Sequence, residues 1–197
     1  MSDLKRVSFV SLGCAKNVVD SEKMLGQLGE AGCAITAEEN DAEVTVINTC
    51  GFLEASRTEA DEVIREAVAR KRNGILKRVV VAGCLVQRDK EAILERIRGG
   101  DALVGVNNRD DIVRAVLGTP SPHPSPEGRG GAASPLPLSL RGRGVHAESS
   151  KRTTDIYLSD YHPFVQLDTA RLRITPRHYA YLRISEGCDQ KCTFCTI

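Results

Sequence analysis

Several features that would place a protein in a membrane or on nucleic acid are missing from this sequence. No apolar run reaches the roughly 18 residues of a membrane-spanning helix. The N-terminal stretch MSDLKRVSFVSLG is charged and then only briefly apolar, which is too short for the core of a signal peptide. Lys and Arg number 27 against 26 Asp and Glu, so charge gives no basis for binding nucleic acid or an anionic membrane. We therefore predict a cytoplasmic protein that binds neither a membrane nor, directly, a nucleic acid.

Paired C-x2-C motifs, which are typical of structural zinc sites, are also absent, although the 197 residues include seven cysteines. In a cytoplasmic protein, a cysteine content of this size favours metal or redox chemistry over a disulfide framework. Hydrophobic residues make up 41% of the chain, which is enough for the core of a sizeable domain.

The first 118 residues alternate between strand and helix patterns. Apolar, β-branched runs predict strands at 7–12, 44–48, 78–83 and 102–106, and helical periodicity predicts helices between and after them, the first at 18–31. Ser56 and Glu59 match a capping box for the second helix, and Asp89 and Gly99 match the start and stop of the third. This alternation predicts an α/β fold, with a parallel sheet and helices on its faces.

Three cysteines follow the three clearest predicted strands. Cys14, Cys50 and Cys84 each come just after a strand and next to a glycine. Because sites in such sheets collect beyond the carboxyl ends of the strands, we expect these three thiols at one edge. The pattern alone leaves two alternatives open, a metal site and three buried cysteines. Cys33 has no matching loop and is interpreted as a small buried hydrophobic residue.

A second, compact group of cysteines lies at the C-terminal end in the spacing C-x3-C-x2-C. Cys188, Cys192 and Cys195 could supply three thiolates to a 4Fe–4S cluster and leave one iron open for another ligand. Zinc is the main alternative, but structural zinc requires four ligands. The basic residues Lys16, Arg88 and Lys191 adjoin the two groups and could offset thiolate charge, although a solvated surface position is the commoner role.

Residues 119–150 interrupt the α/β pattern. Six of the eight prolines fall between Pro120 and Pro137, interleaved with Gly, Ser and Arg, and this composition predicts a disordered insertion. A proline-rich ligand for an SH3-type domain is the less favoured alternative. Residues 151–177 are interpreted as a connector, and HYAYLRIS at 178–185 as a strand that leads into the second cysteine group.

Four stretches in order resemble the radical S-adenosylmethionine methylthiotransferases: SLGCAKNVVDSEKMLG, VINTCGFLEAS, VAGCLVQR and HYAYLRISEGCDQKCTFC. The resemblance covers residues 5–117 and 175–197. It implies a flavodoxin-like domain over 1–118, whose auxiliary 4Fe–4S cluster is held by Cys14, Cys50 and Cys84. It also implies the start of a truncated radical S-adenosylmethionine domain over 178–197. There a second 4Fe–4S cluster would be held by Cys188, Cys192 and Cys195, and Phe194 would lie near the adenine of S-adenosylmethionine.

The function implied by this resemblance is insertion of a methylthio group on the β-carbon of an aspartate in ribosomal protein S-twelve. It requires S-adenosylmethionine and an electron donor such as a flavodoxin or ferredoxin. A sister branch acts on an adenosine of tRNA, but LGCAKN and NTCGF differ from the motifs typical of that branch. Family members continue after the last cysteine into a barrel and a small β domain. We therefore expect this chain to be an N-terminal fragment, and a catalytically dead Fe–S-binding domain is the alternative hypothesis.

Overall fold

Six parallel strands form one sheet in the computed structural model, which describes residues 4–96, 98–118, 154–159, 170–185 and 193. In chain order the strands are β1 (Arg6–Ser11), β2 (Ala34–Thr36), β3 (Val44–Thr49), β4 (Arg78–Gly83), β5 (Ala102–Val104) and β6 (Asp155–Tyr157). Their order across the sheet is β2-β1-β3-β4-β5-β6, and every neighbouring pair is parallel. This confirms the predicted α/β fold and is consistent with a flavodoxin-like domain.

Five α-helices accompany the sheet in the described part of the chain. They are α1 (Ala15–Glu30), α2 (Glu54–Arg72), α3 (Cys84–Asp89), α4 (Ile93–Arg96) and α5 (Ile112–Leu117). Short 3₁₀ helices at Glu39–Asp41, Lys90–Ala92 and Val106–Asp111 complete the connections.

The central strands are buried on both faces, because helices cover both sides of the sheet. Every residue of β3 is buried, as is all of β4 except its first residue. Alternate side chains of these strands enter two different cores. Val46 and Val80 pack in the core that includes α1 and α5, whereas Ile47 and Val81 pack in the core that includes α2. Because these strands are buried on both faces, their sequences are continuous apolar runs.

Two predicted helix starts are wrong. The second helix begins at Glu54, after Leu53, so Ser56 and Glu59 lie inside it and no side chain caps its first turn. Asp89 is the last residue of α3 and not the N-cap of one continuous helix: the predicted helix is present only as the 3₁₀ helix Lys90–Ala92 followed by α4, and Lys90, with φ +47°, breaks the backbone after Asp89. The predicted stop at Gly99 falls three residues after the last helical residue, Arg96.

The sequence patterns missed both edge strands. β2 pairs with β1, and β6 pairs with β5 inside the stretch that was interpreted as an irregular connector. Each has only three residues and is partly exposed, so it lacks the buried apolar run that identified the equally short β5.

Residues 178–185 form no strand, which corrects the prediction from HYAYLRIS. A strand requires a neighbour on which to form a hydrogen-bonded ladder. Among the described residues this segment instead contacts α1 through the side chain of Arg183, which donates a hydrogen bond to Asp20, and the carbonyl oxygen of Tyr181 accepts a hydrogen bond from Arg171. The predicted insertion at 119–150 lies outside the described residues. Within the described ranges, no helix has the length and apolarity to cross a membrane.

Candidate functional site

Three of the predicted site residues lie at the carboxyl edge of adjacent strands. Cys14 immediately precedes α1 in the turn after β1, Cys50 follows the last residue of β3, and Cys84 follows the last residue of β4. Because β1, β3 and β4 are neighbours and parallel, their carboxyl ends meet at one edge of the sheet. Cys33 instead precedes β2 and is buried in the core beside α1, as expected.

Two glycines allow the loops at this edge to approach each other. Gly13 has φ +100°, and a Cβ atom added there would lie 2.5 Å from the Cβ of Cys50. Gly83 has φ +102°, and a Cβ there would overlap Asn48 and lie 2.5 Å from the carbonyl oxygen of Thr49. Both positions therefore require glycine, for backbone conformation and for space.

The side chain of Asn17 joins the three cysteine loops. Its amide nitrogen donates hydrogen bonds to the carbonyl oxygens of Leu12 (2.8 Å) and Thr49 (3.0 Å). Its amide oxygen accepts a hydrogen bond from the thiol of Cys84 at 3.6 Å. One buried side chain thus contacts the turn before Cys14, the residue before Cys50 and Cys84 itself. Asn17 was not predicted as a site residue. The one feature of the sequence that could have indicated it is its position three residues after Cys14, just after a predicted strand.

Hydrogen bonds of Asn48, Ser21 and Ser11 hold the part of α1 that carries Asn17. The amide nitrogen of Asn48 donates to the backbone oxygen of Asn17 (3.1 Å) and to the hydroxyl of Ser21 (2.9 Å), and Ser21 is hydrogen-bonded to Ser11 at 2.7 Å. The amide oxygen of Asn48 is buried at the same place and has no hydrogen-bond partner in the described part of the chain. The first turn of α1 is therefore held to β1 and β3 by polar contacts as well as by packing.

The three thiols differ in exposure. Cys14 is exposed, Cys50 is buried and Cys84 is intermediate. Burial raises the pKa of Cys84 to about 11. Lys16 opposes this increase, whereas Asp20, Cys50 and Cys14 add to it. An isolated thiolate at Cys84 is therefore unfavourable at neutral pH, and a cation at this edge would be required to stabilise it.

Two of the three predicted basic residues lie at this edge. Lys16 forms an ion pair with Asp20 at 3.2 Å, and Arg88 donates a hydrogen bond of 2.6 Å to the carbonyl oxygen of Gly51. Arg88 thereby holds the loop that carries Cys50. Lys191 lies outside the described residues.

Three thiols are a donor set of the kind that an iron–sulfur cluster takes. A 4Fe–4S cluster takes its thiolate ligands on separate irons, so the ligands can come from three separate loops. Within the residues that the structure describes, no group of three His, Cys, Asp or Glu side chains is placed to bind one metal ion. The turn at Gly13 also brings backbone, without a side chain, close to Cys50.

Four residues were predicted to form a second site near the C-terminal end. Cys188, Cys192, Phe194 and Cys195 lie outside the described residues.

Comparison with known proteins identifies the family. Residues 6–105 match the model of the family described as Uncharacterized protein family UPF0004. The chain is 39% identical over 192 residues to "Ribosomal protein uS12 methylthiotransferase RimO" of Solibacter usitatus, an alignment that covers 98% of this chain and 34% of that protein. The protein of the same name from Bordetella pertussis is 36% identical over 194 residues, covering 98% of this chain and 35% of the relative. The one from Trichlorobacter lovleyi is 35% identical over 200 residues, covering 100% and 38%.

The chain thus spans a little more than a third of the length of these relatives. The family model alone matches about half of the 197 residues, and it includes all three loops of the cysteine edge. The chain belongs to Uncharacterized protein family UPF0004 and corresponds to the N-terminal portion of a RimO-like methylthiotransferase.

Proposed function

We propose that this chain is part of a radical S-adenosylmethionine methylthiotransferase and that Cys14, Cys50 and Cys84 hold its auxiliary 4Fe–4S cluster. The observation that carries the proposal is the meeting of three cysteines on the carboxyl ends of three neighbouring strands. The substrate would be the small-subunit ribosomal protein uS12, which the relatives are named for. Its modification would be a methylthio group on an aspartate β-carbon, and the protein would act in the cytoplasm.

The residues around the three cysteines would each have a defined part in holding such a cluster. Gly13 leaves space beside Cys50, and Asn17 fixes the spacing of the three loops through its hydrogen bonds. Arg88 holds the loop after Cys50 through the carbonyl oxygen of Gly51. Cluster binding would require the Cys84 thiol to release its proton, because thiolates are the form that binds metal. When bound, the cluster would supply a redox centre at which a sulfur species can be held.

The second half of the proposal concerns the C-terminal cysteines. Cys188, Cys192 and Cys195 would hold a second 4Fe–4S cluster, whose chemistry is reductive cleavage of S-adenosylmethionine with electrons from a flavodoxin- or ferredoxin-like donor. Phe194 would lie against the adenine. The support for this part is the C-x3-C-x2-C spacing at the end of a chain whose relatives are named methylthiotransferases.

Anaerobic reconstitution of the 197-residue protein with iron and sulfide tests the auxiliary site. We expect Cys14→Ala, Cys50→Ala and Cys84→Ala each to lose the iron and the charge-transfer absorption of this cluster. Cys33→Ala is the matched control, because Cys33 is buried in the core away from the edge, and it should retain both. Iron content that is unchanged in all three edge variants would refute the assignment.

Activity is tested separately by adding S-adenosylmethionine, a reductant and isolated small ribosomal subunits. A methylthio group on uS12, detected by mass spectrometry, would support the enzymatic proposal for this chain. A stable auxiliary cluster without modification of uS12 or release of 5′-deoxyadenosine would favour the alternative, an Fe–S-binding domain without activity of its own. Modification of a tRNA adenosine in the same assay would assign the chain to the sister branch.

A further inference from the structure

A buried carboxylate on α1 holds the segment 170–185. The side chain of Glu22 is fully buried, and its Oε2 accepts a hydrogen bond from Nε of Arg171 at 2.7 Å. Its Oε1 accepts hydrogen bonds from the backbone amides of Ile174 (2.9 Å) and Thr175 (3.3 Å). The backbone oxygen of Glu22 accepts a further hydrogen bond from the amide of Leu172 at 2.9 Å. One helical residue thus satisfies donors from four positions of a segment about 150 residues away in the chain.

The helix surface beside Glu22 is shaped for close approach of this backbone. A Cβ atom added at Gly26, one turn along α1, would lie 2.6 Å from the carbonyl carbon of Ala170 and 2.6 Å from the amide nitrogen of Arg171. Both atoms belong to the backbone, so the segment would have to move to accept a side chain there. A Cβ added at Gly29, three residues further along the same helix, would meet nothing within 4 Å.

A second buried carboxylate on α1 holds the far end of the segment. Oδ1 of Asp20 lies 2.7 Å from Nη1 of Arg183 and 2.8 Å from Nη1 of Arg109. The side chains of Asp20 and Arg183 are both at least 90% buried. The docked segment therefore extends from Ala170, which lies against Gly26, to Arg183, which is paired with Asp20.

These contacts favour one position of the segment. Burial by itself would raise the pKa of Glu22, but hydrogen bonds from Arg171, Ile174 and Thr175 outweigh it and leave the pKa below its ordinary value. The carboxylate is therefore ionised when the segment is docked. If the segment left, Glu22 would lose all of these donors, which makes the undocked arrangement unfavourable.

We propose that α1 positions the chain leading to Cys188 relative to the cysteine edge, with Glu22 as the main positioning residue. The same helix begins directly after Cys14, and Asp20 lies six residues along it, a rise of about 9 Å. Four residues lie between Arg183 and Cys188, and the five Cα–Cα steps can span at most about 18 Å. Docking on α1 would therefore limit how far Cys188 can lie from Asp20, and so from the cysteine edge. The functional importance of this limit rests on the proposed function, whereas the contacts of the segment with α1 do not.

Two measurements on the reduced, metal-free 197-residue protein test the proposal. Hydrogen exchange followed by mass spectrometry should show faster exchange of the amides at 172–175 in Glu22→Gln and in Gly26→Ala, by about ten- to a hundredfold. Crosslinking with a short bis-maleimide should link Cys14 to the C-terminal cysteines in the natural protein, and the yield should fall in both variants. Gly29→Ala is the matched control and should change neither quantity.

Gly26→Ala separates positioning from a merely structural role. Because alanine favours helix over glycine, this variant should keep the helical circular dichroism of the protein while it releases the segment. It also keeps the test decisive if Glu22→Gln fails to fold. Exchange at 172–175 that matches the Gly29→Ala control would overturn the docking role of α1. Faster exchange with an unchanged crosslinking yield would overturn the positioning role. Neither measurement involves iron, so a failure to reconstitute a cluster would bear only on the proposed function.

Discussion

Replacement of Asn17 is the sharpest test of how the cysteine edge is built. In Asn17→Ala, the carbonyl oxygens of Leu12 and Thr49 lose the donor that now lies 2.8 and 3.0 Å away, and the Cys84 thiol loses its acceptor. Asn17 is 1% exposed, so water does not replace these partners without local opening. At about 1–3 kcal/mol for each buried group left unsatisfied, the two carbonyls alone account for about 2–6 kcal/mol. The higher helix propensity of alanine offsets about 0.5 kcal/mol of this loss in the free energy of unfolding.

Urea denaturation of the reduced, metal-free protein, followed by circular dichroism, measures this loss. With an m-value of about 2 kcal/mol/M, the net loss of about 1.5–5.5 kcal/mol lowers the midpoint by about 0.8–2.8 M. Asn17→Asp should cost at least as much, because a carboxylate of the same shape cannot donate to two carbonyl oxygens. Asn73→Ala is the control, since Asn73 is exposed beyond the end of α2 and should shift the midpoint very little. A shift for Asn17→Ala no larger than that of Asn73→Ala would refute the role of Asn17 in joining the three loops.

Three further predictions concern Gly83, the Glu22 carboxylate and the reactivity of Cys14. Gly83→Ala should destabilise the fold by about 2–5 kcal/mol, from positive φ and steric overlap together, whereas Gly74→Ala, with φ +78° but open space, should cost only about 1–2 kcal/mol. Chemical denaturation of the two variants side by side checks the difference, and equal losses would contradict the overlap. Because the folded-state pKa of Glu22 lies below 4.5, protection of the amides at 172–175 should persist as pH falls to about 4.5 and disappear below it. Protection lost already above pH 6 would argue against control by this carboxylate. Finally, alkylation of the native apoprotein should modify exposed Cys14 well before Cys33, because Cys33 is buried and burial raises the pKa of its thiol. Mass spectrometry of timed samples measures the alkylation rates of the two cysteines. Equal rates would contradict the core position of Cys33.

The long elements of the fold could be predicted because their local patterns agree with their tertiary environment. β3 and β4 are buried on both faces and read as continuous β-branched runs, so their position in the sequence was evident. β2 and β6, with three residues each at or near the sheet edges, left no comparable pattern. The capping box at Ser56 was wrong because α2 begins three residues nearer to β3 than this pattern indicated. The strand predicted at 178–185 has the right composition but lies on a helix, among side-chain partners, and has no strand beside it in the described region.

For the candidate site, the sequence by itself predicted which residues are the candidate cluster ligands, and it placed each of them after a strand. Cys14, Cys50 and Cys84 could be named from their spacing after apolar runs, because strand, turn and helix are local properties of the chain. Only the tertiary structure decided that β1 pairs with β3, that Asn17 contacts all three loops, and that Glu22 receives a segment from the far end of the chain. Such contacts join residues tens to well over a hundred positions apart. Their energies depend on the burial and hydrogen-bond geometry of the assembled fold, which local sequence patterns do not encode.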